Sequence, residues 1–323
     1  MFEKEVREPV LDFESAREVL ESVVSELRKA YVGKTEVVKL AVATLFSGGH
    51  LLIEGYPGTG KTLLAKSLSK VIGGRFKRIQ GHPDILPTDI LGFHIYRLDG
   101  SKEFVRGPIF TNVLMFDELN RAPTRSQAAL LEAMQEYKVT IDGIEYELPR
   151  PFMVIATEIS SRLAVGAYQL IETLTDRFAT KVPSYYNPPE EELEILRKSF
   201  SIIDPPVQQV TTPSLVLEIS NSMSDLIHVS DVINEYIVRL MTYLREHEAV
   251  MYGPSHRASV HLTMVSRAYA LMSGRDYVIP DDIKELAVPV VAHKIKVREE
   301  YEAEGVTPES LIEEALKKVP VPK

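Results

Sequence analysis

The chain contains no cysteine. Disulfide staples and thiolate metal sites are therefore excluded, and a cytoplasmic setting is the expectation. No apolar run approaches the ~20 residues needed to cross a bilayer. The opening stretch, MFEKEVREPVLDFESAREVLESVVSELRKA, is charged and helical in period, unlike a signal peptide. Internal repeats and low-complexity tracts are missing, and the 20 prolines and 17 glycines are dispersed. Positive charge is not in surplus either. The formal net charge of −9 argues against non-specific nucleic-acid binding over the whole surface, although a local basic pore is compatible with it. The histidines, among them His50, His82, His256 and His261, lack metal-ligand spacing. What is present is an ordinary globular composition, 45% hydrophobic and 26% charged over 323 residues, a length that suits two domains.

Short apolar runs alternate with helical periodicity through the first half. Helices are expected at about 13–30 and over "TEVVKLAVATLF", the latter stopped by Gly48 and Gly49. Strands are expected at "LLIEG" (51–55), "FKRIQ" (76–80), "NVLMFDE" (112–118), "FMVIAT" (152–157) and "FATKV" (178–182). Such alternation predicts a parallel sheet covered on both faces, an α/β fold. "PSYYNPPEEE" (183–192) interrupts it as a domain joint. Beyond it only helical periodicity is visible, so the division falls at 1–187 and 188–323, the second part a smaller all-α domain.

Two stretches carry chemistry. "GYPGTGKT" fits G-x-x-x-x-G-K-[ST] and lies between a strand and a helix, as a phosphate-binding loop must. Gly55, Gly58 and Gly60 let the backbone turn its amides inward, with Tyr56, Pro57 and Thr59 between them. The helix that starts at Lys61, Thr62 and Leu63 presents its N-terminus to the same anion. Lys61 is suited to the β- and γ-phosphates, and Thr62 to Mg²⁺. The second stretch, "LMFDELNRAP" (114–123), ends a buried strand in two adjacent carboxylates. Beside a phosphate loop, Asp117 is suited to orient Mg²⁺ and Glu118 to polarise the attacking water. Solvated acids at a strand end are the bland alternative, and the neighbouring loop argues against it.

With these residues in view, the chain resembles the MoxR family of AAA+ ATPases from about Tyr31 to about Ile295. The match is carried by "GYPGTGKT", "FDELNRAP", "RSQAALLEAMQEYKVTIDG", "RIQGHPDILPTDILGFHIY", "VRGPIF", "DRF" (176–178) and "GPSHRAS" (253–259). The resemblance implies a P-loop αβα sandwich with a five-stranded parallel sheet and an all-α lid. It also implies a helical insertion at about 82–108 and a β-hairpin at about 138–150. ATP and Mg²⁺ are the implied cofactors. A homo-oligomeric ring, usually a hexamer, is the implied assembly, with chaperone-like remodelling of a protein partner, often one carrying a von Willebrand factor A domain. Arg177 stands where the family has its interface arginine, and Arg257 where the lid has its phosphate sensor. Arg121 is a further candidate for contact with a neighbouring subunit. "YVGK" (31–34), with Val32 and Gly33, resembles the segment that cups adenine.

One departure stands out. The family ends its fourth strand in alanine-threonine-glutamine-asparagine-proline, whereas this chain reads "IATEISS". Ile159 replaces the asparagine that helps position water, and its side chain cannot hydrogen bond. Thr157, Glu158 or Ser160 is left to substitute. Three other functions follow from related chemistry: a nucleic-acid translocase, a metal-chelatase motor subunit, and a nucleotide-gated scaffold with little turnover. The acidic balance opposes the first, and the strand-tip departure favours the third.

Overall fold

The protein is described by a computed structural model covering residues 11–159, 168–198 and 206–322. Helix α1 (Phe13–Ala30) starts on Asp12, whose carboxylate accepts from the Ser15 amide at 2.8 Å. After α2 (Thr35–Phe46), the chain enters β1 (Leu51–Gly55), α3 (Lys61–Val71) and β2 (Phe76–Gln80).

The next segment corrects an expectation. Residues 82–108 hold a single five-residue helix, α4 (Pro87–Leu91), and then a hairpin of β3 (Gly92–Tyr96) and β4 (Lys102–Arg106). The insertion is therefore not simply helical. Its reversal uses Asp99-Gly100, with Gly100 at φ +82°, a turn that two short β-forming runs can flank.

The chain then forms β5 (Val113–Asp117), α5 (Thr124–Ala128) and α6 (Leu130–Glu136). Helix α6 stops where Tyr137 turns left-handed, so the periodic run does not continue into the Asp142-Gly143 turn. Instead β6 (Lys138–Ile141) and β7 (Ile144–Glu147) close a second hairpin around that turn. His94 joins the two hairpins, its ring nitrogens 2.7 Å from Asp142 Oδ2 and 2.7 Å from the Tyr146 hydroxyl.

Strand β8 (Met153–Glu158), α7 (Glu172–Thr175) and β9 (Thr180–Ser184) complete the sheet. Its order is β2-β5-β8-β1-β9, all parallel. One face packs Leu52, Leu114, Phe116 and Val154 against α6 and Phe178. The other packs Leu51, Ile53, Met115 and Ile155 against α1, α2 and α3.

The remaining elements are α8 (Pro189–Arg197), α9 (Pro213–Leu226), α10 (Asp231–Glu246), β10 (Val250–Tyr252), α11 (His256–Met272), α12 (Pro280–Val291), β11 (Lys296–Val297), α13 (Glu299–Ala303) and α14 (Pro308–Lys318). The β10–β11 ladder departs from the purely helical expectation. Runs of three and two residues are too short to produce a period-two pattern. This region does not have an isolated core. Leu262, Val265 and Leu286 belong to the same buried cluster as Leu20, Val38 and Leu64. Among the described residues, no helix is long and apolar enough to cross a membrane.

Candidate active site

The strands β1, β5 and β8 lie side by side, and their C-terminal ends open onto one cleft of about 450 Å³. Ligand sites of open parallel sheets form in this place, beyond the carboxyl ends of the strands. The cleft is lined by Gly55, Pro57, Gly58, Thr59, Gly60, Lys61, Thr62 and Leu63 from one side. Asp117, Glu118, Thr157, Glu158 and Ile159 line it from the other. Tyr56, Val32 and Gly33 do not line it. Tyr56 turns outward and stacks on Tyr186 at 5.1 Å, while the Val32 carbonyl accepts from Asn187 Nδ2 at 3.1 Å.

The loop's glycines have distinct reasons. A Cβ on Gly55 would sit 2.0 Å from the Ser184 carbonyl oxygen, because β9 crosses directly behind the loop. Gly60 is left-handed, at φ +85°, and caps α3 without supplying a side chain, so the first-turn amides stay free for an anion. Two residues outside the motif brace the loop. The buried Tyr31 ring packs on Gly60 and its hydroxyl reaches the Thr59 carbonyl at 3.5 Å. The Ser184 hydroxyl donates to Thr59 Oγ1 at 2.8 Å. Lys61 Nζ donates to the loop carbonyls of Tyr56 (2.5 Å) and Gly55 (3.2 Å). Burial pulls its pKa down, and the charges of Asp117 and Glu118 oppose that shift.

The two adjacent acids are each given their own guanidinium. Asp117 Oδ2 accepts from Arg78 on β2 at 2.5 Å, and Arg121 Nε meets Glu118 Oε2 at 2.8 Å. Thr157 ties the pair together. Its Oγ1 accepts from the Glu118 amide at 2.8 Å and donates to Asp117 Oδ1 at 2.7 Å. Glu118 itself is left-handed, at φ 54° and ψ 51°, a conformation costing a non-glycine residue about 1–3 kcal/mol. Gly81 permits it, since a Cβ there would lie 2.1 Å from the Glu118 carbonyl oxygen.

The strand tip of β8 departs from the family pattern in a defined way. Glu158 turns to Lys181, which bridges it to Glu54 with both contacts at 2.7 Å. Burial raises the Glu158 pKa and Lys181 opposes that rise. Ile159 presents no polar side chain to the cleft, and its backbone is held by Asn120. Ser160 lies outside the described residues.

Arg177 and Arg257 are at the other end of the sheet. Arg177 precedes β9, where the Ala179 amide donates to the His50 carbonyl just before β1 begins. A five-residue strand, ~15 Å, separates that edge from the phosphate loop. Arg257 donates to Asp176 Oδ2 at 2.5 Å and to Gln135 Oε1 at 2.9 Å. Asp176, next to Arg177 in sequence, pairs with Arg257, and Arg177 bonds the Thr173 carbonyl at 2.6 Å. The structure brings the two arginines to each other and not to Lys61 of the same chain. Burial and the neighbouring Arg257 charge lower the Arg177 pKa.

Sequence reasoning missed Arg78, Gly81, Ser184 and Lys181 as parts or supports of this site. Each lies on or just after a strand, and alternation along that strand was the only signal for it.

The donor set fits Mg²⁺. Asp117 and Thr62 offer hard oxygen ligands at the rim of an anion cradle, and such sites take one or two protein ligands plus phosphate oxygens. Among the described residues no cluster of three or more acidic, histidine or cysteine side chains offers a self-contained metal site.

Comparisons with known proteins agree with this architecture. Residues 50–180 match the model of the ATPase family associated with various cellular activities (AAA), and residues 242–315 match the AAA lid domain. The chain is 38% identical to the uncharacterised protein YeaC of Bacillus subtilis, covering 96% of this chain and 97% of that one. It is 37% identical to chaperone MoxR1 of Mycobacterium tuberculosis, covering 94% and 82%. The solved structure of a candidate ATPase from Cytophaga hutchinsonii superposes with a TM-score of 0.87 at 37% identity, over 96% and 97% of the two chains. A phosphate loop facing paired acids, a five-stranded parallel sheet and a matching lid make this chain a member of the MoxR family of AAA+ ATPases, an ATP-hydrolysing enzyme.

Proposed function

We propose that the protein is a Mg²⁺-dependent ATPase that works as a homo-oligomeric ring, of six subunits, with each site completed by a neighbouring copy. The observation that carries this reading is the separation of Arg177 and Arg257 from Lys61. One copy holds the cradle and the acids at one end of its sheet and the two arginines at the other. In this reading Lys61 leaves the Gly55 and Tyr56 carbonyls for the β- and γ-phosphates. Thr62 and Asp117 would hold Mg²⁺, which would supply positive charge to the phosphate oxygens. Glu118, fixed by Thr157 and Arg121, accepts a proton from the attacking water. Arg177 and Arg257 of the next subunit meet the γ-phosphate. Arg257 then couples lid angle to a neighbour's nucleotide and not to its own. Adenine is the base, beside Val32 and Gly33. The domain division lies at 187/188, and the setting is cytoplasmic.

The work done is chaperone-like remodelling of a protein partner, including one with a von Willebrand factor A domain. The name of the Mycobacterium tuberculosis relative supports this class. The net charge of −9 speaks against nucleic acid as the substrate. A nucleotide-gated scaffold is the second reading, and the apolar Ile159 side chain in the cleft is its specific support.

Phosphate release from ATP and Mg²⁺, wild type against Glu118→Gln over a range of protein concentrations, separates the two. Turnover that rises with concentration and disappears in the variant is expected for the ring enzyme. Tight ATP binding with no release above the variant would leave the scaffold.

A further inference from the structure

Helix α8 buries none of its side chains. Leu193 and Leu196 are 48% and 64% exposed, one turn apart on the same side. Glu190 and Glu192 flank that stripe. The opposite side faces the chain's own body, where Glu191 accepts from Asn187 Nδ2 at 2.8 Å and lies against Gly33. The outward face is therefore apolar along its middle, with Glu190 and Glu192 on its two margins and the exposed Arg197 at its C-terminal end.

A surface of the reverse character lies elsewhere on the molecule. A cavity of about 950 Å³ opens between the start of β1, the helices α9 and α10, and one face of α11. On α11, Arg257, Val260, Met264 and Arg267 fall within one narrow arc and span ~15 Å. Val260 is 54% exposed and Met264 36%. Arg177 and Arg150 add cations from the far wall, and no carboxylate is among the described residues that line the cavity. Asp176, bonded to Arg257, is the acid at its edge. The Nε atoms of Arg177 and Arg267 are buried without a hydrogen-bond partner. An apolar stripe set among arginines, with no carboxylate in the described lining, suits an apolar partner that carries acids.

We propose that the occupant is α8 of a second copy. Its leucine stripe seats on Val260 and Met264, and Glu190 and Glu192 meet Arg267 and Arg150, which leaves Arg177 and Arg257 to the nucleotide. The nine-residue helix, ~13.5 Å long, matches the ~15 Å stripe. The two surfaces are different patches of one molecule, so the contact is head-to-tail, the kind that closes into a ring. The proposal rests on the ring reading above and names the elements that hold the ring together.

The absence of cysteine makes the test clean. Leu196→Cys protein is mixed with tagged Met264→Cys protein in Mg²⁺ and a non-hydrolysable ATP analogue, then mildly oxidised. A disulfide between tagged and untagged chains is expected. In parallel, Glu192→Arg and Arg267→Glu should each raise the concentration needed for assembly by ~10-fold or more, and the two reversals together should restore it. Sedimentation of the wild type is the reference. A wild type that assembles while the mixed pair fails to cross-link, or while neither single reversal weakens assembly, overturns the α8 proposal and leaves the ring standing. A wild type that stays monomeric with the nucleotide analogue overturns both.

Discussion

Asn120 pairs its side-chain amide with both backbone groups of Ile159. Asn120 Nδ2 donates to the Ile159 carbonyl at 2.9 Å, and Oδ1 accepts from the Ile159 amide at 3.3 Å. The asparagine thus continues the strand pairing beyond the end of β8, using a side chain where a neighbouring strand would otherwise stand. The family's polar sensor is lost from position 159, yet the backbone at that position is held beside the acids. Asn120→Ala should cost about 1–2 kcal/mol of stability, from two lost hydrogen bonds at a site only 6% exposed. ATP binding should persist while turnover falls, because the phosphate loop is untouched and the strand tip is released. Thermal unfolding together with an ATP titration checks both parts.

Thr157 is the joint between Asp117 and Glu118, the acids proposed to hold the metal and to activate water. Thr157→Val keeps the shape and removes the hydroxyl, leaving the Glu118 amide without its acceptor and Asp117 Oδ1 without its donor. A buried donor left unpaired costs about 1–3 kcal/mol. The Mg²⁺ concentration for half-maximal turnover should rise and kcat should fall. Thr157→Ser should recover most of both, since it restores the oxygen. A serine variant no better than valine would show that the hydroxyl relay alone does not sustain the site.

The two loop glycines make a matched pair. Gly55→Ala forces a Cβ to within 2.0 Å of the Ser184 carbonyl oxygen, a backbone atom that cannot step aside. Gly58→Ala meets nothing within 4 Å and faces only the cost of φ +79°, about 1–2 kcal/mol. Gly55→Ala should therefore be the more damaging by at least ~2 kcal/mol. It should also abolish ATP binding, whereas Gly58→Ala should weaken it. Denaturant unfolding and equilibrium binding rank the pair.

Most of this site was readable from spacing alone, because the phosphate loop and the acids are local in sequence. "GYPGTGKT" and "FDE" each need only a strand, a turn and the residues that follow. The supports were not readable for the opposite reason. Arg78 reaches Asp117 across 39 positions, and Ser184 reaches Thr59 across 125, contacts that exist only because β2 and β9 flank the right strands. The placement of Arg257 depended on where a helix of the second half packs. Its motif could not show that Asp176 and Arg177, and not the phosphate loop, lie beside it. The 82–108 insertion failed differently. Five-residue strands and a five-residue helix leave too short a pattern for either period to dominate.

Lys294 sits behind the arginine pair, 6% exposed, with its ammonium nitrogen 2.8 Å from His261 Nδ1. Burial pushes its pKa down to about 7, Asp176 pulls the other way and Arg257 adds to the drop. An unfolded chain keeps that proton to about pH 10.4. Between about pH 7 and pH 10 the unfolded state therefore binds a proton that the folded state does not. Stability contributed by this residue rises with pH across that window, by at most ~1.4 kcal/mol per pH unit, and is flat below it, where both states are charged. Burial holds the neighbouring His261 and His293 well below the usual histidine range, so neither titrates in this window. Lys294→Met removes the buried charge at the expense of one hydrogen bond to His261. The variant should be more stable than wild type by about 2 kcal/mol near pH 7, with the gap closing toward pH 10. Denaturant melts at about pH 7, 8.5 and 10 measure it. Curves that stay parallel across the series would mean that Lys294 keeps its proton in the fold, paired with an Asp176 that has let go of Arg257.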